Sequence, residues 1–190
     1  MMRLFVGLAL PESVRAVLAE LRGGLPDAHW VEPEDYHITL AFIGEVDEGL
    51  AAEVDQTLSE VDAPPFPHML QGIGTFGSRG KVHAVWAGVE PTPELILLQS
   101  RICSALDRVG IDFDRRKFKP HVTLARMRKM PSEPLERFIA GNNLLKIGPI
   151  EQDCFHLFRS KLTRSGPHYE VLADYPLYSA FLQPDFPRQD

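Results

Sequence analysis

Only two cysteines occur in 190 residues, and Cys103 and Cys154 form neither a CxxC pair nor a regular zinc-ligand spacing with any histidine. A disulfide framework is therefore excluded as the organising device, and both thiols are expected to be small, buried and inert. No stretch approaches the roughly 20 consecutive apolar residues that a bilayer-spanning helix needs, so membrane insertion is not expected. No GxGxxG or GxxxxGK loop is present, which removes two familiar ways of cradling a nucleotide phosphate on backbone amides. Positive charge is also short. With 20 Lys and Arg against 26 Asp and Glu, the formal net charge is −6, which argues against non-specific coating of nucleic acid.

What remains is ordinary for a globular protein, with 44% hydrophobic and 24% charged residues. The length suits a single domain over residues 1–190, or two small lobes sharing one core. The opening Met-Met-Arg-Leu-Phe-Val-Gly-Leu-Ala-Leu superficially resembles a signal peptide, but Pro11-Glu12-Ser13 follows in place of a small-residue cleavage site. The segment reads as a buried strand, so a cytoplasmic location is the default expectation, and a monomer the expected state. Charge is unevenly spread: residues 114–129 hold Arg115, Arg116, Lys117, Lys119, Arg126, Arg128 and Lys129 against Asp114, a local +6 that leaves −12 elsewhere. That window either focuses positive potential near His121 or is a solvated basic face.

Residues 3–10 read as a strand and 11–22 as an amphipathic helix with Val14, Val17, Leu18 and Leu21 at helical spacing, ended by Gly23-Gly24. A short Trp30-Val31 element and a turn precede a second strand over 36–43 and a helix over 47–61. Pro64, Pro65 and Pro67 stop that helix, and 69–76 with 82–89 predict a hairpin around Gly77-Ser78-Arg79-Gly80. Pro93 opens a long helix to Val109, with Leu95, Leu98, Ile102, Leu106 and Val109 on one face. A strand over 118–127, a short helix over 134–140, a strand-rich stretch over 147–162 and a strand over 169–175 complete the chain. Mixed strands and helices with a clear hairpin favour an α+β fold with antiparallel sheet over a doubly wound parallel one.

One internal repeat carries chemistry. Residues 35–42 read D-Y-H-I-T-L-A-F and 118–126 read F-K-P-H-V-T-L-A-R, so H-x-T-L-A recurs 84 residues apart, close to half the chain. On a strand, residues i and i+2 share a face. His37 and Thr39 project together over Ile38 and Leu40, and His121 and Thr123 over Val122 and Leu124. Two imidazoles on opposite walls of a cleft suit general base and general acid work on a phosphodiester, and threonine hydroxyls can donate to its non-bridging oxygens. Arg126 stands three residues after Thr123, so strict alternation turns it away unless the strand bends or ends there. His29, His68, His83, His156 and His168 lack a partner motif and are expected to be structural or superficial. A zinc site on His37 and His121 lacks a regular third ligand.

These residues make the chain resemble the two-histidine (2H) phosphoesterase superfamily, and within it the bacterial and archaeal RNA 2′,3′-cyclic phosphodiesterases, also called 2′-5′ RNA ligases. The likeness extends to R-L-F-V-G-L-A-L-P at the start, G-x-G-x-F at Gly72 to Phe76, V-W-A-G-V at Val85 to Val89, and Gly166-Pro167-His168-Tyr169-Glu170. It implies a bilobal fold, with two pseudo-symmetric lobes of antiparallel sheet around a central cleft and helices outside. It further implies His37 as proton donor, His121 as proton acceptor and no metal or other cofactor. The implied partners are RNA ends or nucleotides bearing a 2′,3′-cyclic phosphate, opened to a 2′-phosphate, with reversible 2′-5′ joining as a related step. Thr39, Thr123 and Arg126 are then candidates for the phosphate, and Phe42 and Tyr169 for a base. Two other readings share the motifs: a 2H phosphodiesterase of a small cyclic nucleotide or ADP-ribose cyclic phosphate, and a module that binds RNA ends without turnover.

Overall fold

The computed structural model describes residues 1–78, 81–128, 132–163 and 166–178. Strand β1 (Met2–Ala9) turns Leu4, Val6 and Leu8 into the core, and helix α1 (Glu12–Ala19) follows directly after Pro11. The helix stops short of the predicted residue 22, and Gly23 and Gly24 then take positive φ values that a side chain would resist. A two-residue strand β2 (His29–Trp30) and a 3₁₀ turn at Pro33–Asp35 lead into β3 (His37–Val46). Helix α2 (Glu48–Ser59) begins where the Asp47 carboxylate accepts the Leu50 amide at 2.8 Å.

Strands β4 (Phe66–Ser78) and β5 (Lys81–Val89) form the expected hairpin, whose tip residues 79–80 lie outside the described chain. Helix α3 (Pro93–Arg108) has Thr92 as cap and Pro93 in its first turn, and it buries Leu95, Leu98, Ile102 and Leu106 completely. Val109, predicted on that same face, lies past the helix end and is exposed. The strand predicted over 118–127 is shorter: β6 runs His121–Arg126, starting directly after Pro120. Helix α4 (Ser132–Asn142) precedes β7 (Lys146–Gln152), β8 (Cys154–Thr163) and β9 (Gly166–Pro176).

Every strand pairing is antiparallel, in the order β7-β4-β5-β6-β3-β1-β8-β9, with β2 added beside β6. This gives two four-stranded lobes, each ending inwardly on one H-x-T-L-A strand. The lobes do not correspond to the two halves of the sequence. One is assembled from β1, β3, β8 and β9, and the other from β4 to β7. The stretch predicted as one strand-rich run over 147–162 is in fact the crossing point: β7 ends in one lobe and, after Asp153 alone, β8 begins in the other. The outer parts of the sheet therefore bend toward each other behind a common core, where Ile150 of β7 and Phe155 and Leu157 of β8 join Leu4, Val6, Ile38 and Val122. Helices α2 and α3 add Val54, Leu58, Leu98 and Ile102 to this core, leaving the other face of the sheet open. No helix among the described residues is long and apolar enough to cross a membrane.

Candidate active site

The sheets of the two lobes join at a single paired position, Ile38 opposite Val122, and both side chains are fully buried. Antiparallel register then sets His37 across from Thr123 and Thr39 across from His121, with all four side chains on the opposite face from those aliphatics. The two histidines become diagonal neighbours across the seam, roughly 7–8 Å apart at the backbone where strands remain paired. Beyond that pair the ladder stops, so the strands diverge and the rings face a gap.

Each motif carries a bulge at its leucine. Against β1, Thr39 pairs with Gly7 and Ala41 with Val6, leaving Leu40 as the extra residue; against β5, Thr123 pairs with Trp86 and Ala125 with Val85, leaving Leu124. Leu40 and Ala41 both enter the core, as do Leu124 and Ala125, and the next residue returns to the open face. Arg126 is thereby brought to the cleft, resolving the alternation that turned it away, and Phe42 occupies the equivalent place in the other lobe. A cleft of about 490 Å³ is lined by His37, Thr39, Phe42, Arg126 and Tyr169, among others. His121 and Thr123 stand on the facing lobe, outside that concavity.

Both rings are held by the same local device. His37 Nδ1 lies 2.7 Å from the Asp35 carbonyl, and His121 Nδ1 lies 2.7 Å from the Lys119 carbonyl. A carbonyl only accepts, so each Nδ1 carries its proton and Nε2 is the atom left to change protonation. The two Nε2 atoms differ. Thr39 Oγ1 sits 3.1 Å from His37 Nε2, whereas His121 Nε2 has no hydrogen-bond partner among the described residues. Burial holds His37 down at about 4, with the Asp35 carbonyl opposing and the nearby His121 and Arg126 adding to the effect. His121 is lowered as well, first by burial and then by Arg126 and the Lys119 ammonium, against the pull of the Lys119 carbonyl.

Aromatic side chains flank both histidines; of these the sequence reading named Tyr169 and missed Phe5, Phe76 and Trp86. Around His37 are Phe5 at 4.7 Å, tilted, and Tyr169 at 4.6 Å, edge-on. Beside His121 are Phe76 at 4.7 Å and Trp86 at 5.9 Å, with the Lys119 ammonium 4.5 Å over the indole. Phe5, Phe76 and Trp86 all fall in segments that carry the family likeness, but no periodic rule singles them out. Trp86 lies flat on Gly74, where an added Cβ would fall 2.1 Å from its ring. Gly74→Ala is therefore expected to expel the indole from beside His121 and destabilise the fold by about 1–3 kcal/mol in urea titration.

Asp35 is the other unforeseen residue. Only 5% exposed, its Oδ1 accepts the Tyr169 amide at 2.9 Å and lies 3.1 Å from His168 Nδ1, while its carbonyl holds His37. One residue thus ties the last strand, and the Tyr169 ring with it, to the first histidine. His168, though more than half exposed, is thereby tied to Asp35. His156 is buried against Asp174 at 2.7 Å, and His68 is buried with neither ring nitrogen partnered among the described residues. His29 and His83 are exposed.

The basic window is less uniform than its composition suggests. Arg115 is spent on Asp107 at 2.6 Å and Arg116 on Asp114, so Lys119 and Arg126 are the cations of this window found at the site; Lys129 lies outside the described residues. The cysteines are half-buried rather than fully buried, with Cys154 Sγ 3.5 Å from His156 Nε2 and Cys103 Sγ accepting from Gln99 at 3.1 Å. No group of three or more His, Cys, Asp or Glu side chains among the described residues is arranged to hold a metal ion.

An antiparallel sheet of two lobes, each presenting a bulged H-x-T-L-A strand to a shared cleft, defines a two-histidine phosphoesterase fold. The chain belongs to the 2′-5′ RNA ligase superfamily, whose family model matches residues 10–146. It is 35% identical over 175 residues, 90% of this chain and 98% of the relative, to a protein of Archaeoglobus fulgidus named RNA 2′,3′-cyclic phosphodiesterase. A crystal structure of a Thermus thermophilus protein superposes with a TM-score of 0.73 at 28% identity, over 93% of this chain and 98% of that one. Apo LigT of E. coli superposes with a TM-score of 0.73 at 25% identity, over 94% of this chain and 98% of LigT.

Proposed function

We propose that this protein hydrolyses RNA or nucleotide 2′,3′-cyclic phosphate to the 2′-phosphate, with His121 as general base and His37 as general acid. The observation that carries the assignment is the asymmetry at Nε2: His121 offers a lone pair with no hydrogen-bond donor among the described residues, while His37 shares its Nε2 with the Thr39 hydroxyl. His121 takes a proton from water as the water oxygen attacks phosphorus. The bond from phosphorus to the 3′ oxygen breaks, and that oxygen takes the Nε2 proton of His37. The 2′ ester bond survives, giving a 2′-phosphate and a free 3′-hydroxyl. An RNA 5′-hydroxyl in place of water would yield a 2′-5′ linkage by the same two transfers.

Burial keeps His37 neutral in the unliganded protein near pH 7. The anionic cyclic phosphate supplies the opposite charge that raises its proton affinity once bound, and Arg126 balances the charge that grows on phosphorus. Names borne by relatives at 28–35% identity support the activity. The deciding experiment is hydrolysis of a nucleoside 2′,3′-cyclic phosphate in EDTA, with the product resolved by phosphorus NMR. The 2′-phosphate is expected, and the 3′-phosphate would refute the assignment of acid and base.

Asp35 enters this chemistry indirectly, by holding Tyr169 against the acid. Asp35→Ala is expected to lower kcat/KM about tenfold through loss of two hydrogen bonds to a charged acceptor. Asp35→Asn, which keeps an acceptor oxygen for the Tyr169 amide, should recover most of the loss. Equal defects in both variants would show that the clamp does not act through that amide.

A further inference from the structure

Beyond the two histidines, the cleft continues along β1. On that strand Arg3 shares the open face with Phe5, whose ring packs on His37, and lies roughly 6–7 Å farther from the centre. Its guanidinium sits 5.1 Å over the Phe42 ring and lines the cleft, and no carboxylate pairs with it among the described residues. The lobes' symmetry gives this cation a meaning. Where the second lobe places Arg126 after its bulge, the first places Phe42 and lays the arginine of the neighbouring strand β1 on it, so a guanidinium stands beyond the bulge in both lobes. Arg3 and Tyr169, which flanks His37, line the same cleft.

A ribose whose 2′ and 3′ oxygens are closed by the cyclic phosphate carries its next phosphate on the 5′ oxygen. We propose that Arg3, stacked on Phe42, is an anion subsite for that 5′-side phosphate, making RNA ends and 5′-phosphorylated nucleotides better substrates than bare nucleoside cyclic phosphates. This rests on the phosphodiesterase reading above and adds a specificity residue to it. Guanidinium laid on an aromatic ring is a common anchor for single-stranded nucleic acid, because it is weakly hydrated and keeps its donors in plane for a phosphate. Glu45 stands opposite Arg3 in the β1–β3 register, lines the same stretch and opposes an incoming anion.

The test measures kcat/KM for adenosine 2′,3′-cyclic phosphate, its 5′-phosphorylated form and the dinucleotide ApA 2′,3′-cyclic phosphate. The wild type is expected to prefer both 5′-phosphorylated substrates by about tenfold, a preference that shrinks as salt is raised. Arg3→Gln should bring the ratio near one, and Glu45→Gln should increase it. A wild-type ratio of one, or an Arg3→Gln enzyme that keeps the preference, overturns the subsite while leaving the phosphodiesterase reading intact. Failure to hydrolyse any of the three substrates overturns both.

Discussion

Alanine at His37 or at His121 is expected to lower turnover of a nucleoside 2′,3′-cyclic phosphate by roughly two to four orders of magnitude, the usual scale for one positioned acid or base. Each proton transfer has one donor or acceptor in reach, and neither Thr39 nor Thr123 titrates near neutrality to replace it. The two single variants should differ in stability although not in kind. His37 is packed between Phe5 and Tyr169 and held by the Asp35 carbonyl, so removing it opens a gap and strands an acceptor. Losing His121 likewise leaves the Lys119 carbonyl without its donor, but that acceptor is in the more open setting and the ring has an edge-on contact with Phe76, so its loss should cost less. Because both imidazoles act in one displacement, the double variant should be only slightly worse than either single one. Circular dichroism checks that the fold is kept, and a double variant working at the wild-type rate would end the proposal.

Acid should unfold this protein before carboxylates alone would. His37 and His68 are both held down at about 4 by burial, against an ordinary value of 6.5. Their folded-state values lie below their unfolded ones, so between those limits the unfolded chain takes up protons that the folded chain refuses. Stability is full above about pH 6.5 and falls as pH drops toward 4. Each site is worth about 2–3 kcal/mol over that window, a large share of the 5–15 kcal/mol typical of a domain. His68 gives the clean control. Neither of its ring nitrogens has a partner among the described residues, so His68→Met forfeits no hydrogen bond there and should be neutral or stabilising at pH 7.5. Urea titrations from pH 7.5 to 4.5 should show about half the wild-type loss in this variant. An unchanged slope would mean His68 is not kept neutral by the fold.

The H-x-T-L-A repeat was legible because it uses strand periodicity, which the chain states directly: His and Thr two apart, with Ile38 or Val122 between them and a leucine after the threonine. The β4–β5 hairpin and the buried stripe of α3 were legible for the same reason, that local period and turn chemistry suffice. Arg126 could be placed only conditionally, since the Leu124 bulge depends on how β6 pairs with β5. The interleaved lobes were not readable at all, because the passage from β7 to β8 takes a single residue and leaves no signal of a crossing.

By its own pattern, then, the amino-acid sequence determined the strands, the helical faces and the two residue pairs that bear the chemistry, all properties of neighbours along the chain. The tertiary structure alone decided which strands lie side by side, that one aliphatic pair would set the histidines diagonally across a gap, and that Asp35, Phe5, Phe76 and Trp86 would surround them. Those contacts join residues up to 157 positions apart, as Arg3 of β1 beside Ser160 of β8, and they follow from burying one shared core, a condition on the whole chain that no local stretch expresses.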